Sequence, residues 1–405
     1  MHVEPAEYRE RQVRAREAAA ERGLAAFVAF SRGGGAHDRV ADVLWLTGLA
    51  TSQGFVPDLA GHWRAAGHVA VVVPVDGPVT AVVESDELIP FAVADEVVVA
   101  DDLIGAAAAA LAEELPRRGP RRVGVVGADA MPFPWWTALD ELVRAKREHV
   151  VLEAADDLGM LLRRTKSPAE QCLLRSSGRL GSQAMAAALD AAQPGAREAD
   201  VAAAFMQHVV REGGAVYDVV LSSGPTAGTL APHGGMAGPA GWTKRTLAAG
   251  DLLRVDAYGS VGGYLFDFAR SVVVGDAATE EQVELISAMR TSVLAGIERL
   301  RPGTKLADIA RTCDEALAET AHARRHGVPE HLMGGFWGHG LGLSFEPPWI
   351  GPDSAEVVEP GWCLAVERRA AVPGLGGAQY EDNVLIGLDG AQLLTIVERA
   401  PGTSA

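Results

Sequence analysis

The sequence predicts an α/β N-terminal domain followed by an α+β C-terminal domain. Three observations carry this. Strand-like and helix-like segments alternate over roughly the first 150 residues, as they do in α/β folds. Beyond residue 162, long amphipathic helices precede apolar strands that pair around glycine-rich turns. The length, 405 residues, exceeds one core of ordinary size, so two domains are expected, 1–160 and 161–405.

The elements follow in chain order. Residues 6–22 are charged and alanine-rich and predict a helix that ends at Gly23, a residue suited to a left-handed cap. LAAFVAF (24–30) and VLWLTG (43–48) read as strands. HVAVVVP (68–74) and VTAVVE (79–84) flank Asp76-Gly77-Pro78 and predict a hairpin. A helix rich in Ala and Glu covers 103–114, and RVGVVG (122–127) is a further strand. Gly33-Gly34-Gly35 lacks the lysine of a phosphate loop and reads as a plain loop. Ser167, Pro168 and Glu170 form a capping box with proline at the first helical position, opening a helix over 168–191. Another helix opens at 199–205. A strand near 216–222, a hairpin over 252–274, helices near 278–300 and 306–325, and terminal strands complete the C-terminal half.

Bulk properties exclude several classes. With 48% hydrophobic residues, the chain can bury a sizeable core, and disorder is not expected. A net charge of −17 argues against nucleic acid and anionic membrane surfaces as partners. Three cysteines without CxxC spacing offer neither a disulfide framework nor a thiolate zinc site and suit a reducing compartment. The charged first residues do not read as a signal peptide, and no apolar run is long enough to span a membrane. The expectation is a cytoplasmic protein.

Five residues carry the chemistry: Asp256, Asp267, His339, Glu367 and Glu381. Folding 252–269 about a midpoint between Val261 and Gly262 lays Asp256 opposite Asp267. Folding 363–386 about Gly374 lays Glu367 opposite Glu381. Directly opposed like charges destabilise a sheet, and neighbouring carboxylates cannot all remain ionised without compensation. The flanking residues Leu253, Val255, Leu265 and Phe268 make these strands too apolar for solvated charges. Divalent cations supply the compensation. Four carboxylates and one imidazole exceed the needs of one tetrahedral zinc and match two hard or borderline metals.

VDAYG (255–259) with YLFDFARS (264–271), GHGLGL (338–343), Val366-Glu367 and YEDN (380–383) resemble the metal motifs of the pita-bread fold. This is the family of methionine aminopeptidase, aminopeptidase P, prolidase and creatinase. The order of the five residues and the eleven-residue interval from Asp256 to Asp267 match. The resemblance covers about 160–400 well, and 42–48 with 162–170 are similar to its creatinase-like N-terminal domain. It implies an α+β pita-bread catalytic domain and a dinuclear hydrolase of the Xaa-Pro aminopeptidase or prolidase type. Asp256 would hold one metal, Asp267 and Glu381 would bridge, and His339 and Glu367 would complete the second site. Metal-bound hydroxide would attack an amide carbonyl, with Glu367 shuttling the proton and His233 holding substrate. Manganese is expected on ligand hardness, with cobalt, iron or zinc as alternatives. A short peptide or small molecule is the expected substrate. A homodimer is also expected, with the loop containing His62 and Trp63 reaching toward the neighbouring subunit.

Two positions depart from the family pattern. Peptidases of the family carry a histidine seven residues after the ligand histidine, and Glu346 stands there. Proline-specific members favour an arginine two residues before the last glutamate, and Gln379 stands there. Glu346 is then expected to serve as a proton donor in a partly apolar pocket beside Phe345 and Trp349. Gln379, a neutral amide, is expected to contact substrate without ion-pairing its carboxylate. These departures keep open a non-peptide C–N hydrolase or lyase like creatinase, ectoine hydrolase or dimethylsulfoniopropionate lyase. A metal-free binding module is the remaining alternative.

Overall fold

The chain divides between Arg163 and Arg164 into two compact units, His2–Arg163 and Arg164–Ala405. The computed structural model describes residues 3–32, 39–51, 67–115, 121–224, 227, 242–275, 278–328 and 335–397. His233, the 62–63 aromatic pair and the 33–35 glycines lie outside the described residues.

In the first unit, α1 (Pro5–Glu21), β1 (Ala26–Arg32), α2 (Ala41–Thr47), β2 (His68–Pro74), β3 (Thr80–Val83), β4 (Glu96–Val99), α3 (Leu103–Glu114), β5 (Arg121–Val126), α4 (Phe133–Lys146), β6 (Val150–Ala154) and α5 (Asp156–Arg164) build an α/β fold. Its mixed sheet runs β4-β3-β2-β1-β5-β6. Asp102 caps α3 by accepting the Gly105 amide at 3.1 Å. Leu103, Ala107 and Leu111 of that helix pack on Val28, Val72 and Val125 of the sheet. One expected strand is a helix: 41–47 forms α2. Gly48 closes it in the left-handed region at φ 76°. Arg11 and Gln12 of α1 donate to the carbonyls of Trp45 and Leu46 at 3.1 and 3.0 Å, groups that a helix end leaves free. The short apolar run alone does not distinguish the two states.

The second unit opens as expected at Ser167. The Ser167 hydroxyl accepts the Glu170 amide, and the Glu170 carboxylate accepts the Ser167 amide at 2.9 Å. That box starts α6 (Pro168–Ala191), followed by α7 (Glu198–Arg211), β7 (Ala215–Ser223), β8 (Leu252–Val261), β9 (Tyr264–Val273) and α8 (Glu280–Arg299). The single helix expected over 306–325 is two, α9 (Leu306–Ala318) and α10 (Ala321–His326), because Thr320 accepts the Ala323 amide and starts a new helix. β10 (Gly338–Leu341), β11 (Phe345–Trp349), β12 (Cys363–Val372), β13 (Gly376–Ile386) and β14 (Ala391–Leu393) follow.

Two antiparallel sheets result, β7-β8-β9 and β11-β10-β12-β13-β14. They are tied where β9 meets β13: the Asp267 amide donates to Asn383 Oδ1 at 2.9 Å, and Ser271 Oγ accepts the Gln379 amide at 2.9 Å. Helices α6 and α7 cover the first sheet through Met185, Phe205, Phe266 and Phe268. Gly181 lets α6 approach closely, since a Cβ there would stand 2.8 Å from the Phe266 ring. Helices α8 and α9 cover the second sheet through Val293, Ile309, Leu364 and Val384. Together these layers form the expected pita-bread architecture, with helices outside and strands inside.

Candidate metal centre

The two hairpins put the carboxylates on one face. In the second hairpin, Val372 pairs with Gly376 and Glu367 pairs with Glu381, the register expected from a turn centred on Gly374. The first hairpin differs from its expectation. Gly262 and Gly263 both take positive φ, 58° and 84°, and form a two-residue turn. Val261 therefore pairs with Tyr264, Asp256 with Ala269, and Asp267 with Tyr258. Asp256 and Asp267 are diagonal neighbours, not directly opposed. The register moves by two residues, an even number, so both side chains keep the same face.

Asp256, Asp267, His339, Glu367 and Glu381 all line a single cavity of about 260 Å³. One oxygen each from Asp267 and Glu381 and one ring nitrogen of His339 lie within 4.8 Å of one another. Nε2 of His339 stands 3.4 Å from Asp267 Oδ2, while Nδ1 lies 3.0 Å from the Gly340 carbonyl. Such a backbone partner fixes the ring and leaves Nε2 toward the carboxylates. Glu381 Oε1 is buried with no hydrogen-bond partner among the described residues. A buried anionic oxygen left in that state is costly unless a cation meets it.

The electrostatics describe the same need. Burial, then the charge of Asp267, pushes the Asp256 carboxyl up to about 7. Burial raises Glu367 too, against the opposing charge of His339, and Glu381 stands well above the usual range through burial and the charges of Asp267, Glu367 and Asp256. Burial alone would lower His339, but its hydrogen bond to Asp267 and the charges of Asp267 and Glu367 outweigh it and push it up. Each acid makes its neighbours harder to ionise. An oxygen-rich set of this kind fits hard divalent cations.

Neighbouring residues hold this set in place. Arg254, fully buried two positions before Asp256, donates to Gln379 Oε1 at 2.7 Å and stands 3.6 Å from Asp256 Oδ2. The Gln379 Nε2 group donates to Glu367 Oε2 at 3.2 Å and to Glu381 Oε2 at 3.4 Å. Gln379 thus braces the ligand carboxylates and is absent from the cavity lining, contrary to the expected substrate contact. Asn383 grips the Asp267 backbone from both sides, accepting from its amide and donating to its carbonyl. Arg270, stacked 4.3 Å over the Tyr380 ring, donates to the Glu381 carbonyl at 2.6 Å. Arg254, Gln379 and Asn383 each lie two positions from one of the five residues, and that parity is the signal the sequence offered.

Glu346 is elsewhere. Its carboxylate accepts from Lys166 Nζ at 2.6 Å in a pair buried on both sides, and it does not line the cavity. On β11 the neighbours Phe345 and Trp349 face the cavity, and alternation turns Glu346 the other way. The expected acid beside those aromatics is therefore an ion-pair partner of the lysine that precedes α6. The aromatic wall is real: His339 lies 5.0 Å from Phe345 and 5.7 Å from Trp349, with Tyr258 edge-on to Phe345 at 5.6 Å.

The sequence model of metallopeptidase family M24 matches residues 172–387. The chain belongs to metallopeptidase family M24. Among M24 relatives, it is similar to "Probable dipeptidase PepE" of Mycobacterium tuberculosis, 31% identical over 276 residues, covering 67% of this chain and 68% of that protein. It is 27% identical over 248 residues to "Xaa-Pro dipeptidase" of Pyrococcus furiosus, covering 60% of this chain and 66% of that one. The crystal structure of dipeptidase PepE from Mycobacterium ulcerans superposes with a TM-score of 0.76 at 25% identity over 99% of this chain and 98% of the other. The prolidase from Pyrococcus horikoshii shares the fold with a TM-score of 0.75 at 20% identity, covering 96% and 99%. This M24 chain is accordingly a metallopeptidase-type hydrolase, similar to dipeptidases and prolidases. No helix among its described residues is long and apolar enough to cross a membrane.

Proposed function

We propose that the chain is a dinuclear metal-dependent dipeptidase of the Xaa-Pro dipeptidase type. One observation supports this reading above the others: five ligand-type side chains from five strands line one cavity, where Glu381 Oε1 is buried without a partner. Asp256, Asp267, His339, Glu367 and Glu381 would together hold the two cations. Two divalent cations, when bound there, would supply a water nucleophile at neutral pH and a Lewis acid for the scissile carbonyl. The chain's own residues do the rest. Glu367, with its carboxyl raised by burial, carries a proton from the attacking water to the leaving nitrogen. Tyr258, Phe345 and Trp349 form an apolar wall that excludes bulk water and seats the substrate side chain. Gln379 and Arg254 keep the carboxylates oriented.

Manganese is the first choice for an oxygen-rich set with one imidazole. A cavity of about 260 Å³ suits a substrate of two residues, below the usual range of drug-sized pockets. All three cysteines are free, which supports a reducing, cytoplasmic compartment. A homodimer rests on the family resemblance, and light scattering at working concentration tests it. The second reading, a non-peptide C–N hydrolase or lyase, is favoured by Glu346, whose pairing with Lys166 leaves no second imidazole on the cavity among the described residues. Metal analysis with a hydrolysis panel separates the two. Xaa-Pro and non-proline dipeptides, assayed with manganese, should be cleaved by a protein holding two metal equivalents. Inactivity on the whole panel with metal bound would leave the second reading.

A further inference from the structure

The aromatic wall of the cavity is carried by a strand that its own backbone holds poorly. β11 places Phe345 and Trp349 on the cavity, yet it is the edge of its sheet and among the described residues pairs only with β10. Its ladder is interrupted: His339 pairs with Trp349, but Gly340 pairs with Glu346. The two residues left over are Pro347 and Pro348, which have no amide hydrogen to donate. The compensation lies on the other face of the strand. The Glu346 carboxylate accepts Lys166 Nζ at 2.6 Å and Ser344 Oγ at 3.4 Å. Lys166 is itself rooted, since its Nζ donates to the Arg164 carbonyl at 3.1 Å and its amide to the Gly361 carbonyl at 2.9 Å. Glycines after His339 leave room for the pair. A Cβ on Gly342 would stand 2.7 Å from Glu346 Oε1 and 3.1 Å from Lys166 Nζ, and one on Gly340 would stand 2.5 Å from the Glu346 carbonyl oxygen. A buried ion pair is a poor source of stability, because apolar residues of the same volume often do as well. Its use here is to fix a register.

We propose that Lys166 is a positioning residue for substrate selection: through Glu346 it fixes β11, and so sets the Phe345 and Trp349 wall against which the substrate side chain is chosen. The selection rests on the peptidase reading above, whereas the strut does not. Phe345 and Trp349 lie 5.0 and 5.7 Å from the His339 ring, so a small slip of β11 reshapes the space beside that residue. His339 itself does not depend on the strut. It sits on β10, which β12 holds from the other side through the pairs Gly338–Val366, His339–Ala365 and Gly340–Leu364. Removing the Lys166–Glu346 pair therefore loosens the wall and leaves the five ligand-type residues in their frame. The effect falls on which substrate is held, not on the chemistry that follows.

The test compares manganese-loaded wild-type enzyme with two variants. Lys166→Met with Glu346→Leu replaces the pair by apolar side chains of similar volume, and Lys166→Arg keeps the charge. Amide hydrogen exchange, read by mass spectrometry, should be roughly 10-fold faster across 341–350 in the double variant and unchanged in β12 and β13. The wild type should favour Leu-Pro over Gly-Pro by roughly 10–10²-fold in kcat/KM, the usual worth of a seated apolar side chain. In the double variant that ratio should fall toward one, mostly through KM, while two metal equivalents and the pH profile are kept. Lys166→Arg should retain most of the preference. Wild-type exchange across 341–350 or an undiminished preference in the double variant overturns the proposal, as does a wild type indifferent to the two dipeptides. A preference lost together with bound metal marks a merely structural role and overturns it too. If the double variant does not fold, Glu346→Gln, assayed well below its melting temperature, is held to the same outcomes. If the wild type cleaves neither dipeptide, the peptidase reading falls and exchange decides alone: local loosening keeps the strut, and an unchanged rate removes it.

Discussion

Glu367 stands directly opposite Glu381 across the β12–β13 ladder, and the Gln379 amide donates to both at 3.2 and 3.4 Å. Opposed carboxylates weaken a sheet unless something positive joins them. One neutral amide does not balance these two carboxylates, which line the same cavity as Asp256 and Asp267.

Asp267 lies with His339 and Glu381 in a group whose ligand-type atoms are all within 4.8 Å of one another, and its Oδ2 stands 3.4 Å from His339 Nε2. Asp267→Ala should abolish activity and lower the metal content to one equivalent or fewer by plasma emission analysis. A fully active variant that retains two equivalents would refute the ligand assignment.

In the metal-free protein, stability should fall as pH rises. Burial and the charge of Asp267 lift Asp256 to about 7, and Glu367 and Glu381 are raised as well. Unfolded, such acids ionise near pH 4. Between those values the folded state keeps protons that the unfolded chain has released, so the contribution is complete below about pH 4 and is lost as pH passes through about 7. The melting temperature of chelator-stripped protein should drop from about pH 5 to pH 8. Manganese should raise it most at the upper end, because the cations favour the ionised acids. A stripped protein with a flat profile over this range would argue against a buried acid cluster.

Gln379→Ala removes the amide that joins Arg254 to Glu367 and Glu381. Metal affinity should weaken by roughly 10–100-fold, the usual effect of losing a partner that orients ligands. Titration with a competing chelator measures it. Unchanged affinity would mean that the amide is a bystander.

Glu346→Gln distinguishes an ion-pair partner from a proton donor. Breaking the buried Lys166–Glu346 pair should cost about 3–5 kcal/mol of stability, and Lys166→Met with Glu346→Leu should recover much of it. The pH profile of kcat/KM should keep its shape. A variant with wild-type melting and a kcat lower by roughly 10²–10⁴-fold would restore the role expected from sequence, that of a positioned acid.

Much of this was legible in the chain, for reasons that particular residues make plain. The capping box at Ser167 and Glu170 set the start of α6 because every partner in it is local. The Glu367–Glu381 pairing was readable because its turn centres on Gly374, a single left-handed glycine. The Asp256–Asp267 register was misjudged because the five residues 259–263 include three glycines, and only the structure shows that Gly262 and Gly263 are the pair that turns. The apolar run at 43–48 was ambiguous in isolation and is a helix because α1 meets its carbonyls. Lys166 and Glu346 lie 180 positions apart, with nothing in either neighbourhood to announce the other. Arg254 and Arg369 were hidden in plain alternation: both sit two positions from a ligand, yet one is bound into the carboxylate frame and the other is left facing the cavity.

The two hairpins also say how a gene of this kind can change. Every ligand sits on a strand, so a change of length between Asp256 and Asp267 is felt first as parity. One inserted residue within either strand would turn a carboxylate to the far face of the sheet, and two would carry it about 7 Å along the same face. The eleven positions from Asp256 to Asp267 therefore behave as a ruler. Tyr258, Phe345 and Trp349 can be exchanged one at a time, altering what fits against the wall while the ruler stands. Selection on this sequence should thus be strictest on spacing, and new specificities should arise by substitution while insertions are purged.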